Sequence, residues 1–168
     1  MLIHIFVIMK IEQSIKQSRF DSLEEKLVVN IMYTSNRLHF LISKMFKPYG
    51  LSPEQFNVLR ILRGQNSNPI SLLSIEDRML DKSSNVSRLI DKLLIKQYIT
   101  RSISKSDRRK VDVRISQIGL DVLKKIDVDL ALFFKKINTL ISHSDANQMN
   151  DLLDNFRTIE TLIQNEKK

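Results

Sequence analysis

The chain has 168 residues, 42% hydrophobic and 27% charged, which is the size and balance of one folded domain with a sizeable core, not of a disordered chain. It has no cysteine, which excludes a disulfide scaffold, a cysteine zinc site, a thiol nucleophile and a thiol redox sensor. Three glycines and three prolines are few for a turn-rich sandwich or barrel, so a mainly helical fold is expected. The 27 basic and 19 acidic residues leave a net charge of +8, which puts a polyanion first among partners, with a merely soluble basic protein as the alternative.

No run of about 18 apolar residues is present, so no membrane span and no membrane partner are expected. The opening MLIHIFVIM is apolar but short and lacks a basic stretch before it, a poor fit to a signal peptide. Met9 opens a second possible start, so residues 1–8 are either an upstream misreading or an extra turn of an N-terminal helix. The charge is uneven: net +3 over residues 1–50, +6 over 51–115 and −1 over 116–168, so the middle segment is the candidate contact surface.

Residues 23–46 read as one long helix, with Leu27, Ile31, Leu38, Leu41, Ile42 and Met45 near helical spacing and Pro48 and Gly50 as its stop. Ser52-Pro53-Glu54-Gln55 starts a second helix with an N-cap, a proline at the first position and a capping-box glutamine. A short helix is predicted over about 71–80. Asp81 is read as the N-cap of the next, over about 82–96, with Val86, Leu89, Ile90, Leu93 and Leu94 on its apolar face. The period then changes to two: Ile99, Arg101 and Ile103, then Val111, Val113 and Ile115, predict a hairpin around a basic tip. Helical spacing returns from 117, and Ser144 and Asp145 are expected to cap a last helix.

A short helix, a turn, an amphipathic helix and a basic hairpin make a winged helix-turn-helix pattern. The second of those helices has one face to anchor it and one free to enter a major groove. Ser83, Ser84, Asn85, Ser87 and Arg88 cluster in its first half as candidate base readers, Asn suiting adenine edges and Arg guanine edges. Arg78, Lys82, Lys92 and Lys96 are placed as phosphate clamps. On the hairpin tip, Lys105, Arg108, Arg109 and Lys110 suit a minor groove, with Asp107 bracing a guanidinium. A Ser/Asn-rich helix start is more often only a cap, and a basic loop more often only solvated. The two in this order and spacing carry more than either alone.

Residues 51–119 resemble the multiple-antibiotic-resistance regulator (MarR) family of winged-helix transcription factors. Ser83-Ser84-Asn85-Val86-Ser87-Arg88-Leu89-Ile90-Asp91-Lys92-Leu93 is similar to the family's recognition helix. Asp107-x-Arg109, the strand Val111–Ile115 and Ser116-x-x-Gly119 resemble its wing and the start of its next helix. One departure stands out: Gln97 occupies a position where the family usually has glycine, so either Gln97 bears strain or the helix closes differently.

The resemblance implies a mainly α fold: a winged helix-turn-helix domain at 51–116 with a two-stranded wing, flanked by N-terminal (1–50) and C-terminal (117–168) dimerisation helices. It implies a cytoplasmic homodimer on pseudo-palindromic double-stranded DNA, a repressor relieved by a small aromatic or phenolic effector. The effector would bind among the helices at 23–46, from 53 and from 117, but no residue marks a ligand class. Tyr33, Arg37 and His39 are read as surface or core residues sooner than as a ligand site. The scattered His4, His39 and His143 give no metal site, no cofactor is called for, and no catalytic motif is present. The alternatives are a helical protein-interaction module and a non-specific basic nucleic-acid binder without ligand response.

Overall fold

The structure, a computed structural model, describes residues 9–66, 68–103 and 111–166. Residues 1–8, read above as an upstream misreading or an extra helical turn, lie outside them, and the alternative start Met9 is the first residue described. A short helix α1 (Ile11–Ile15) precedes the long α2 (Leu23–Phe46), which begins where the side chain of Ser22 accepts from the Glu25 N–H. A single 3-10 turn, Lys47–Tyr49, follows and closes on Gly50 at φ +64. The capping box predicted at Ser52 is formed: its hydroxyl accepts from Gln55 N–H at 3.2 Å and Gln55 Oε1 accepts from Ser52 N–H at 3.0 Å. It starts α3 (Pro53–Arg63), whose Phe56, Val58, Leu59 and Leu62 are all buried. The remaining elements are β1 (Ile70–Ser71), α4 (Leu72–Arg78), α5 (Val86–Ile95), β2 (Ile99–Ile103), β3 (Val111–Ile115), α6 (Gln117–Ile137), α7 (His143–Phe156) and α8 (Ile159–Asn165).

The wing sheet has three strands where two were expected. Its order is β1-β3-β2, all antiparallel, with Ile70 opposite Val113 and Ile99 opposite Ile115. A two-residue strand has no periodicity of its own, so β1 exists only because β3 offers it a free edge. Val113, Ile115 and Ile99 point into one core with Phe46, Leu59, Leu62, Ile75, Val86, Ile90, Leu93, Leu123 and Ile126. The α6 helix thus roots in the same core as the helix-turn-helix. Polar ties fix it further: Arg63 makes a two-pronged contact with Asp127 at 2.6 and 3.3 Å, and the Tyr49 hydroxyl donates to Asp129 at 2.7 Å.

Three boundaries differ from expectation. α5 starts at Val86, capped by Asn85, and not near 82. The last helix is capped by Ser142, not by Ser144 or Asp145, and it breaks after Phe156 into α7 and α8. The five-residue α1 is too short to show a helical period in the sequence. α7 and α8 bury no residue, and the 24-residue α2 buries only Phe46, although all three carry apolar stripes. Leu23, Leu152 and Leu162 are at least 60% exposed, so these stripes face outward from the single chain.

Candidate nucleic-acid interface

The loop between α4 and α5 is knitted by one carboxylate. Asp81 Oδ1 accepts from both the backbone N–H (2.9 Å) and the hydroxyl (2.7 Å) of Ser83, and Oδ2 accepts from the Ser84 hydroxyl at 3.2 Å. The Ser83 hydroxyl, then its N–H, hold this carboxyl below the ordinary aspartate range against the desolvation that raises it; the Ser84 hydroxyl and the charge of His39 add to the effect. Occupied in this way, Asp81 caps a turn and not the helix. Asn85 takes the capping role, its Oδ1 accepting from Arg88 N–H at 3.0 Å. The same loop is tied to α3, since Leu80 N–H donates to Asn57 Oδ1 at 2.9 Å.

The consequence for the candidate readers is specific. Ser83 and Ser84 sit on the turn with their hydroxyls turned to Asp81, and the Asn85 carbonyl oxygen is spent on the cap. On α5 itself, Ser87, Arg88, Asp91, Lys92 and Ile95 form the exposed face, while Val86, Ile90 and Leu93 are buried. Ser87 and Arg88 are therefore the candidate readers that the helix carries outward, with Lys92 one turn behind Arg88.

The expected clamps divide. Arg78 and Lys82 are exposed beside the turn, each folded onto a carbonyl of α4: Arg78 to Ser74 O at 2.7 Å, Lys82 to Asp77 O. Lys96 lies at the far end of α5, half-buried, and its ammonium donates to Gly50 O. It fastens α5 to the turn after α2. The tip residues Lys105, Asp107, Arg108, Arg109 and Lys110 lie outside the described residues.

Gln97 does adopt the left-handed conformation, at φ +59. Gln97 N–H donates to Leu94 O at 2.8 Å and Tyr98 N–H to Leu93 O at 3.1 Å, so the helix closes as a glycine would close it. Ser116 then binds this closure to α6: its N–H donates to Tyr98 O (3.0 Å), its hydroxyl donates to Gln97 O (2.6 Å) and accepts from Gly119 N–H (3.1 Å). Sequence reasoning also missed a contact between Asp91 of α5 and Arg101 of β2, whose nearest charged atoms are 4.0 Å apart. They are ten positions apart on two different elements, so no spacing rule marks the pair.

A cleft of about 970 Å³ opens between α2, α3, α6 and α7, the first three being the helices expected to line an effector site. Leu38, Phe46, Phe56, Leu130 and Phe134 make it mainly apolar, and Arg60, lying 5.9 Å from the centre of the Phe56 ring, gives it a cation. His39 lines the cleft; Tyr33 and Arg37 do not. His39 Nε2 stands 3.2 Å from Glu54 Oε1. Burial raises the Glu54 carboxyl, but the Ser52 hydroxyl, its own N–H and His39 together outweigh it and lower it below the ordinary glutamate range.

The fold and the placement of α5 beside a sheet wing define a winged helix-turn-helix protein. The MarR family model matches residues 51–111. The regulator MhqR of Bacillus subtilis is 27% identical over 79% of this chain and 88% of its own length. The uncharacterised HTH-type transcriptional regulator YkoM of the same organism is 31% identical over 64% of this chain and 68% of its own. The organohalide-sensing regulator RdhR in its 2,4-dichlorophenol-bound form superposes with a TM-score of 0.73 at 18% identity, over 82% of this chain and 80% of that one. The chain belongs to the MarR family of winged helix-turn-helix transcriptional regulators.

Proposed function

We propose that this regulator acts as a cytoplasmic homodimer that represses transcription from a pseudo-palindromic operator and lets go when a small aromatic or phenolic effector binds. The observation that carries the reading is the exposed polar face of α5, with Arg88 and Lys92 outward and a strand hairpin beside it. Arg88 and Ser87 read base edges in the major groove; Lys92, Arg78 and Lys82 hold phosphates. Asn85 caps the helix and offers its amide NH₂ to a base, while Ser83 and Ser84 set the turn. Arg109, with Lys105, Arg108 and Lys110, enters the minor groove, braced by Asp107.

Residues 51–116 form the DNA-binding lobe, and the flanks 1–50 and 117–168 pair two chains. The uncovered stripes of α2, α7 and α8 support the pairing, because contiguous apolar surface of that extent is rarely left in water. The cleft supports the effector: its aromatic walls suit a ring, and Arg60 suits a phenolate or carboxylate. It lies between the flanking helices and the lobe, and release requires that a ligand there bind two lobe spacings unequally.

Fluorescence-anisotropy titration on DNA from upstream of the protein's own gene, beside a scrambled duplex and at two salt concentrations, tests the reading. Tighter binding to the native duplex that survives the higher salt supports it. Equal, salt-sensitive binding to both favours a non-specific binder, and no binding to either favours a protein-interaction module.

A further inference from the structure

The exposed face of α5 contains an acid among its bases. Asp91 lies three residues beyond Arg88 and four beyond Ser87, so all three share one side of the helix. Its side chain is 66% exposed. A carboxylate on a surface that meets a polyanion repels phosphate at every position along the duplex, so it weakens binding unless something returns the loss. Arg101, reaching from β2, stands with Nη1 4.0 Å from Asp91 Oδ1. That is close enough to offset the charge and too far to tie up the oxygens in a hydrogen bond. Asp91 thus carries a partly offset charge, and among the described residues no donor lies within hydrogen-bond distance of its carboxylate.

Resting on the reading of α5 as the groove helix, we infer that Asp91 is a specificity-determining residue that accepts a hydrogen bond from an exocyclic amino group in the major groove, cytosine N4 first. The chemistry is selective because a carboxylate is acceptor-only. Guanine presents N7 and O6 on the same edge, both acceptors, and thymine presents O4 and a methyl group, so each opposes it. Arg101 is the positioning residue: it lowers the cost of bringing Asp91 to DNA without touching the base itself. Arg88 attracts and Asp91 rejects, and discrimination by rejection costs affinity on random DNA.

The experiment is selection of duplexes from a randomised pool by the full-length wild type, Asp91→Asn and Arg101→Gln, followed by titration on the selected and a scrambled duplex. Thermal melts check that each variant is folded. Asp91→Asn should lose or change the preference at one base pair per half-site, bind scrambled DNA about threefold or more tightly, and lower the specific-to-random ratio about tenfold. Arg101→Gln should weaken binding to both duplexes while selecting the wild-type sequence, and Arg101→Lys, which keeps the charge but not the planar fork, should restore that binding, as it would not for a purely structural brace. Should Asp91→Asn select the wild-type sequence with an unchanged ratio, the role given to Asp91 is wrong and the groove-helix reading stands. A wild type that selects no sequence at all overturns both.

Discussion

Gly119 lies directly against the backbone of Tyr98: a Cβ at Gly119 would stand 2.2 Å from the Tyr98 carbonyl oxygen. The same carbonyl accepts the Ser116 N–H, so the first turn of α6 is pressed onto the strand that leaves the α5 closure. Gly119→Ala forces these segments apart, because backbone cannot yield as a flexible side chain can. The expected loss of stability is about 2–3 kcal/mol, read by urea denaturation. Wild-type stability in that variant would mean that α6 and the strand are less tightly joined.

The opposite sign is expected at Gln97. A left-handed backbone costs a residue with a Cβ about 1–2 kcal/mol, and glycine gives back part of that in unfolded-state entropy. Gln97→Gly should therefore stabilise by up to about 1 kcal/mol. A lower melting temperature would show that the Gln97 side chain contributes more than its backbone costs.

On DNA, Arg88→Ala should cost about 1–3 kcal/mol on the operator and relax the sequence preference. Lys92→Ala should weaken all duplexes alike and reduce the slope of log affinity against log salt by about one. If Arg88→Ala leaves the specific-to-random ratio untouched, Arg88 does not read bases.

Tyr49 gives a test in pH. The hydrogen bond to Asp129, then burial, then the carboxylate charge push its phenol above the ordinary tyrosine range. A group raised on folding contributes stability that is complete below its unfolded value and lost as pH climbs through the folded one. Tyr49→Phe should remove that alkaline loss. At neutral pH it should cost about 0.5 kcal/mol, since the site is partly exposed. Identical stability–pH curves above the ordinary tyrosine range would contradict this.

Leu152 and Leu162 face outward from α7 and α8. If these helices pair two chains as proposed, replacing both with Asp should leave a folded monomer and abolish operator binding, with light scattering and circular dichroism as readouts. A variant that remains dimeric would move the interface elsewhere.

Much of the site's frame is legible without coordinates because it is local. The α2 helix runs from 23 to 46 as its apolar spacing indicates, and Ser52 and Gln55 cap α3 as their separation of three requires. The hairpin strands β2 and β3 fall on the two alternating runs. Such features depend on residues a few positions apart, and the 3.6- and 2-residue periods write them directly into the chain.

What the sequence alone determined is therefore the class: a basic, mainly helical, winged helix-turn-helix chain with Arg88 and Lys92 on the outer side of its recognition helix. The tertiary structure decided the assignments that rest on competition between partners. Asp81 is as good a cap by type as Asn85, but two serine hydroxyls and a backbone N–H claim it first, so α5 starts four residues later than expected. Lys96 resembles Lys92 in sequence, yet only Lys96 finds the Gly50 carbonyl within reach. The strand β1, the Asp91–Arg101 pair and the Gly119–Tyr98 contact likewise join groups brought together by folding, and no local period can announce a neighbour that only the packed core supplies.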